Sequence, residues 1–175
     1  MREWKLGLPF RGATVLEWSV RNALVHCARV IVVTGYRADA AEELLRDLPR
    51  VLTVRNDRWA AGMFSSIKRG AAEVTTSRFF VALADMPLIP PEVFQRLAAE
   101  PQAAAVRPVY QGRKGHPVLL DQILIDRIRI SDDSLTMGDV LRGSLVRELP
   151  LASEYVTYDL DTMSDYDRLP RELID

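Results

Sequence analysis

Three aspartates follow apolar runs of this sequence where predicted β-strands end. Asp85 follows residues 79–84, and Asp159 and Asp161 follow residues 155–158. In open α/β sheets ligands bind beyond the carboxyl ends of the strands, so a carboxylate there can face a phosphate-bound metal. Magnesium takes one or two protein carboxylates and completes its octahedron with phosphates and waters. Asp85 and Asp161 are therefore candidate ligands of one magnesium ion, although spacing alone does not show that they meet. The alternative for Asp85 is that it only caps a turn or a helix.

Small polar residues follow two further apolar runs and the start of one predicted helix. They are Thr34 and Gly35 after the first run, Asn56 after the second, and Gly62, Ser65 and Ser66 at the helix start. The N-terminal end of a helix is electrostatically positive and presents free N–H groups, so it suits an anion.

A third candidate segment lies between two predicted strands in the second half of the chain. It contains Arg113 and Lys114 between two glycines, Gly112 and Gly115, and it ends at His116. A hairpin or loop of this composition could meet a charged ligand. The alternative is a solvated tip without a ligand.

The elements that must position these residues alternate through the first half of the chain. Short apolar runs predict strands, and apolar residues at helical spacing predict helices. Strands are expected at 29–35, 51–54, 79–84, 103–110, 117–120, 146–149 and 155–158, and helices at 15–27, 38–48, 63–74, 91–99, 123–130, 137–141 and 164–169. Thr14 is expected to cap the first helix, with Glu17 as its partner. This alternation predicts an α/β fold with a mostly parallel, mixed sheet.

Composition excludes several classes of protein. The 175 residues are expected to form one domain, residues 1–175. The net charge of -1 gives no general attraction to nucleic acid or acidic membranes. No apolar run approaches the ~20 residues that span a bilayer. The single cysteine, Cys27, cannot form an internal disulfide, so we expect a reducing, cytoplasmic location. With His26 and His116 it makes no zinc pattern.

Six short segments, taken together and in order, resemble the MobA-like nucleotidyltransferases, and within them the molybdenum cofactor cytidylyltransferase branch. The segments are residues 4–12 (WKLGLPFRG), 32–36 (VVTGY), 56–67 with Asn56, Trp59 and GMFSSI, 84–89 (ADMPLI), 112–118 (GRKGHPV) and 159–162 (DLDT). They cover nearly the whole chain. Each is weak alone, and the set is specific at the level of the family.

The resemblance implies a Rossmann-like three-layer α/β/α fold of the nucleotide-diphospho-sugar transferase type. It implies transfer of a nucleotidyl group from an NTP, with Mg²⁺ and release of pyrophosphate. In the cytidylyl branch the substrates are CTP and the molybdopterin form of the molybdenum cofactor, and a molybdenum enzyme or its chaperone is a further candidate partner. Guanylyl transfer and sugar-phosphate nucleotidyl transfer are the alternatives within enzymes.

Roles carry over from the resemblance by position. Asp85 would bind magnesium with help from Asp161, and Lys5 would contact the nucleotide phosphates; Lys5 and Asp85 would be the catalytic pair. The remaining nucleotide-binding candidates are Thr34, Gly35, Asn56, Gly62, Ser65 and Ser66, and the substrate-binding candidates are Arg113, Lys114, Gly115 and His116. For Lys5 and His116 the alternatives are a solvated lysine and a turn hydrogen bond.

The start of the sequence departs from the family pattern. Members of the family begin with a buried strand and a glycine-rich loop, and this sequence begins at what resembles the methionine after that loop, with Arg2 where a glycine is expected. We expect an N-terminally truncated domain. Three accounts remain open: a misassigned start, an inactive relative that acts as a binding module, or replacement of the loop by another segment or chain. A missing strand would leave an open sheet edge, which favours association.

Overall fold

Strands and helices begin and end close to the glycine, proline and polar residues that bound the apolar runs. The computed structural model describes residues 4–170, 172 and 174, so the expectation for Met1 and Arg2 lies outside the described residues. The strands are β1 (Pro9–Phe10), β2 (Ala13–Thr14), β3 (Val30–Thr34), β4 (Val51–Arg55), β5 (Arg78–Val81), β6 (Ala105–Tyr110), β7 (Arg113–Lys114), β8 (Val118–Asp121) and β9 (Val146–Pro150). The α-helices are α1 (Val15–His26), α2 (Ala38–Leu45), α3 (Met63–Ala71), α4 (Pro91–Ala99), α5 (Ile123–Ile130), α6 (Met137–Leu141) and α7 (Met163–Asp167).

The longer strands form two groups. β3 and β4 pair in parallel, with Val30 opposite Val51. β5, β8 and β6 pair antiparallel in that order, β9 runs parallel to β6, and β7 forms a hairpin with the end of β6. The described strands therefore form a mixed arrangement, in which the second half of the chain supplies the antiparallel pairs.

Successive residues of the central strands point to opposite faces, as the period of two requires. Phe80, Val106 and Leu119 pack in one apolar cluster with α1 and α4. The adjacent residues Phe79, Ala105 and Leu120 pack in another cluster with α3, α5 and α6. The sheet is thus covered by helices on both faces, which makes a three-layer α/β/α fold.

The β3–β4 pair has the same layering. Val30 and Val32 pack with α1 and α2. On the other face α3 crosses β3 closely, because a Cβ added at Gly70 would lie 3.0 Å from Val33 Cγ2. Helices therefore cover both faces of this pair as well.

The structure differs from the sequence predictions at the ends of several elements and at one strand. α2 ends at Leu45 and α3 at Ala71, each three residues earlier than expected, and β6 begins at Ala105 instead of residue 103. β5 ends at Val81, earlier than expected, and its residues are half-buried rather than buried on both faces. The strand expected at 155–158 is wrong, because Glu154–Thr157 forms a 3₁₀ helix. Its Val156 is fully buried against the sheet, and the carbonyl of Val156 accepts the His116 N–H at 2.8 Å. This backbone hydrogen bond connects the segment to the loop after β7, in place of the ladder of hydrogen bonds that a strand would make.

Within residues 4–170, 172 and 174, no helix has the length and apolar character needed to cross a membrane.

Candidate active site

A lysine bridges two of the predicted aspartates. Lys5 Nζ lies 2.8 Å from Asp85 Oδ2 and 3.0 Å from Asp161 Oδ1. Lys5 begins the 3₁₀ helix Lys5–Gly7, Asp85 lies in the turn after β5, and Asp161 lies just before α7. The structure therefore brings together the three residues that the resemblance assigns to phosphate and metal.

A backbone hydrogen bond explains why the two acidic segments meet. The Leu160 N–H donates to the Asp85 carbonyl at 3.0 Å, and the Leu160 side chain is buried in a cluster with Phe10 and Tyr166. The buried Leu160 side chain anchors this segment, while Asp159 and Asp161 on either side of it stay near solvent. Thr162 then begins α7 with a capping box.

The charges at this site influence one another. Burial alone lowers the pKa of Lys5, but hydrogen bonds to Asp85 and Asp161 and the charges of both carboxylates raise it above its usual value. Burial raises the pKa of Asp159, and the like charges of Asp161 and Asp85 raise it further. The acids outnumber the lysine, so the site favours an additional cation.

The donor set fits a hard divalent cation. Carboxylate oxygens are the protein ligands that Mg²⁺ prefers, and one or two of them suffice when phosphates and waters supply the rest. Asp85 and Asp161 meet this requirement. Among the described residues, no group of three acidic, histidine or cysteine side chains could hold a metal ion by itself. A metal bound here would therefore depend on ligands from a substrate.

His116 lies beside the acidic cluster, which consists of Asp85, Asp159 and Asp161. A Cβ at Gly115 would lie 2.3 Å from the Val156 carbonyl oxygen, so the glycine permits the chain to pass this segment closely. Burial lowers the pKa of the His116 ring, and the Val81 carbonyl and the nearby carboxylates of Asp85 and Asp159 oppose this effect only in part. The buried Nδ1 atom has no hydrogen-bond partner among the described residues.

The cations of the predicted substrate segment lie on a hairpin. Val109 pairs with Lys114 and Tyr110 with Arg113 across a turn at residues 111–112. Arg113 and Lys114 are both exposed. Of the two predicted alternatives, a hairpin or a loop, the structure shows a hairpin, in which Arg113 and Lys114 form the second strand. The two cations lie three and two residues before His116 in the sequence.

The remaining polar candidates form a second group, centred on Asn56. The Asn56 amide donates to the hydroxyls of Ser65 at 2.9 Å and Ser66 at 3.0 Å, and the Asn56 N–H donates to the Thr34 carbonyl at 2.8 Å. Asn56, Ser65 and Thr34 are buried. The network joins the ends of β3 and β4 to the start of α3, after Gly62, whose φ of 111° is unfavourable for other residues.

A polar cavity of about 210 Å³ opens beside this network. Its lining residues are Thr34, Gly35, Ala38, Arg55, Asn56, Asp57 and Trp59. Trp59 passes directly over Gly35, where a Cβ would lie 2.5 Å from the Trp59 Cβ. The exposed rings of Trp59 and Tyr36 are 5.8 Å apart. The cavity is smaller than the ~300–1,000 Å³ of a typical ligand site, so it suits one part of a nucleotide.

Among the described residues, no side-chain hydrogen bond or ion pair joins the acidic cluster to the Asn56 group. The candidates predicted from the sequence thus fall into two groups, each close to the last residues of strands. Tyr36, Arg55 and Trp59 were not among the predicted site residues. Their positions in the sequence could have indicated two of them, because Tyr36 directly follows Gly35 and Trp59 closely follows Asn56.

The chain thus combines a mixed sheet covered by helices on both faces with a lysine and aspartates that meet near the ends of strands. The chain belongs to the MobA-like NTP transferase domain family, which matches residues 1–148. It is similar to the molybdenum cofactor cytidylyltransferase of Escherichia coli strain K12, with 28% identity over 95% of this chain and 86% of that protein. The resemblance to this family is therefore confirmed.

Two solved structures share the fold. A nucleotidyl transferase from Methanothermobacter thermautotrophicus is 25% identical and has a TM-score of 0.81. The match covers 94% of this chain and 82% of that chain. A Mycobacterium tuberculosis protein crystallised as a complex with manganese is 23% identical, with a TM-score of 0.78, and the match covers 94% of this chain and 90% of that chain. The expected α/β fold of the nucleotide-diphospho-sugar transferase type is confirmed.

Proposed function

We propose that this chain transfers a cytidylyl group from CTP to the molybdopterin form of the molybdenum cofactor, with Mg²⁺ and release of pyrophosphate. The observation that carries the proposal is the meeting of Lys5, Asp85 and Asp161 in a chain of this family. The similarity to the Escherichia coli enzyme supports the choice of cytidylyl transfer.

The reaction exchanges one phosphoanhydride bond for another. A phosphate oxygen of the pterin forms a bond to the α-phosphorus of CTP, while the bond from that phosphorus to the pyrophosphate oxygen breaks. The protein has to position the two reactants and to stabilise the negative charge that develops on the phosphates.

Asp85 and Asp161 would hold Mg²⁺, which neutralises phosphate charge when it is bound. Lys5 would contact the phosphates, and its raised pKa keeps the ammonium charged for this role. Each carboxylate contacts Lys5 through one oxygen, Asp85 through Oδ2 and Asp161 through Oδ1, so its other oxygen would remain for a metal ion. The metal would compete with the Lys5 ammonium for the negative charge of the two carboxylates, and the phosphates would offer the ammonium another partner.

The Asn56 group would receive the base and ribose. Trp59 offers an exposed aromatic surface beside the polar cavity, and stacking of a base on an aromatic side chain contributes ~1–3 kcal/mol. His116, with Arg113 and Lys114 before it, would face the pterin substrate. The buried and unpartnered Nδ1 of His116 supplies a hydrogen-bonding group for it.

Calorimetric titration with CTP, GTP and ATP in magnesium tests the proposal, followed by assay of pyrophosphate release with the molybdopterin substrate. We expect binding of CTP above the other two nucleotides and turnover. Preference for GTP would reject cytidylyl transfer. Binding of CTP without turnover would reject catalysis and would favour a binding module.

The role of Asp85 has its own test. Asp85→Asn should abolish magnesium-dependent binding of CTP, because the substitution removes the charge and keeps the shape. Asp126→Asn is the matched control, since Asp126 on α5 is 93% exposed and makes only a 3.9 Å contact with Arg129. Unchanged binding by Asp85→Asn would exclude this carboxylate as a metal ligand.

A further inference from the structure

A shielded acid on the connection between α5 and α6 holds two cations. The side chain of Asp133 is 13% exposed, its Oδ1 lies 2.8 Å from Lys68 Nζ, and its Oδ2 lies 2.7 Å from Arg58 Nη2. The contact with Arg58 is an ion pair without the alignment of a hydrogen bond. Lys68 also donates to the Ser131 carbonyl at 2.6 Å. The connection is thus bound to α3 and to the segment before α3.

Arg58 does not line the cavity, but its backbone is hydrogen-bonded to the polar network beside it. Its N–H donates to Asn56 Oδ1 at 3.0 Å, and its carbonyl accepts the Ser65 hydroxyl at 3.1 Å. Its side chain extends instead to Asp133. One residue therefore joins the polar network of the cavity to the α5–α6 connection.

The segment between Asn56 and α3 is short and partly exposed. It contains one 3₁₀ turn, Trp59–Ala61, and then Gly62, whose backbone is the least restricted of all residues. Its own turn hydrogen bonds and the packing of Trp59 on Gly35 and Tyr36 hold it locally. The Arg58–Asp133 ion pair adds a link from this segment to the second half of the chain, and without it the backbone that carries the Asn56 and Ser65 contacts would lose that link.

We propose that Asp133 is a positioning residue for nucleotide binding. By pairing with Arg58 and Lys68 it fixes residues 57–62 and the start of α3, so that Asn56, Ser65 and Trp59 keep the arrangement that receives the base. The inference rests on the proposed function, because it concerns the same cavity. It adds a residue from the second half of the chain that touches no part of that cavity.

Two variants remove the ion pair between Asp133 and Arg58, each by changing one of the two residues. Asp133→Asn removes the charge and keeps the shape, whereas Arg58→Gln removes the charge and shortens a side chain that is 74% exposed, where a change is tolerated more easily. Each should weaken binding of magnesium–CTP about fivefold, as for loss of a partly exposed ion pair, and the double variant should be no weaker than either one. Turnover at saturating CTP should stay unchanged, and Asp133→Glu should restore affinity.

The control and a second measurement separate positioning from general stability. Glu148→Gln breaks the Arg107–Glu148 pair between β6 and β9 and should leave CTP affinity unchanged. Hydrogen exchange of the amides at 57–66 should accelerate in Asp133→Asn and Arg58→Gln, and not in Glu148→Gln. Unchanged exchange in both variants overturns the inference, as does tighter CTP binding. If the unmodified chain binds no nucleotide the proposed function fails, while the exchange measurement still decides the role of Asp133.

Discussion

Replacement of Lys5 by methionine should affect metal and nucleotide in opposite directions. The lysine ammonium lies 2.8 and 3.0 Å from two carboxylates and acts there as an internal cation. Its removal leaves Asp85 and Asp161 without a counter-ion and with Asp159 nearby. A divalent ion then no longer competes with the ammonium, whereas the phosphates of CTP lose a positive partner.

The size of the effect follows from distance and exposure. Two unit charges about 4 Å apart interact by ~1 kcal/mol in water and ~4 kcal/mol at an effective dielectric of 20. Lys5 is 32% exposed and Asp161 is 66% exposed, so the value near 1 kcal/mol applies. Lys5→Met should therefore bind free Mn²⁺ about fivefold more tightly, since ~1 kcal/mol corresponds to about fivefold, and should lower the free energy of unfolding by ~1 kcal/mol.

Manganese binding can be followed by loss of the free Mn²⁺ signal in electron paramagnetic resonance, and CTP binding by calorimetry. Lys5→Arg is the matched control, because it keeps a positive charge at the same position and should retain weak Mn²⁺ binding. Equal or weaker Mn²⁺ binding by Lys5→Met would refute the competition. Undiminished CTP binding would refute the contact with phosphates.

Three further outcomes are expected. The His116 ring should titrate below its usual pKa of 6.5, because burial favours the neutral form; the stability that this neutral ring contributes is present above pH 6.5 and is lost as the pH falls towards the lowered pKa, and a midpoint at or above 6.5 by NMR, assigned with His116→Gln, would contradict this. Gly115→Ala should destabilise the fold by ~1–3 kcal/mol in urea unfolding, because its Cβ would lie 2.3 Å from the Val156 carbonyl oxygen; full stability would show that the backbone adapts. Gly35→Ala should weaken CTP binding by displacing Trp59, whose Cβ lies 2.5 Å from the new methyl group, and unaltered affinity would place the base elsewhere.

The sequence predicted the first residues of helices better than the last residues of helices and strands. Pro91 and Ala99 bound α4 as expected, since proline is favoured in the first turn of a helix. Thr14 caps α1 as expected and accepts the Glu17 N–H at 3.3 Å, although the Glu17 carboxylate bonds to the Thr14 hydroxyl instead of its N–H. These signals are local and can be read from a few neighbouring residues.

The strand predicted at 155–158 failed because strand formation depends on a partner. The β-branched and aromatic residues of that segment favour a strand, but its backbone meets the chain at His116 through one bond and then turns into the acidic segment. β5 likewise ends at Val81, where its antiparallel pairing with β8 ends at Val118. Local composition does not contain this information.

The candidate site was predicted in its parts but not in its assembly. The residue types at Asp85 and Asp161 pointed to magnesium, yet their meeting depends on the buried side chain of Leu160 and its bond to the Asp85 carbonyl. The role proposed for Asp133 had no local signal, because a carboxylate in a polar connection resembles any solvated acid. Such relationships become visible only in three dimensions.

The bridge through Lys5 also has a consequence for the order in which the protein acquires activity. Lys5 is separated from Asp85 by 80 positions and from Asp161 by 156. Contacts of such long range form late, since the chain must first lose the entropy of closing large loops. During synthesis on the ribosome the cavity around Asn56 can form while Asp161 is still inside the exit tunnel. Under the proposed function, a nascent chain would acquire the cavity proposed for the base before Asp161 joins Lys5 and Asp85, and would be unable to consume a nucleotide until the segment that carries Asp161 has emerged and docked.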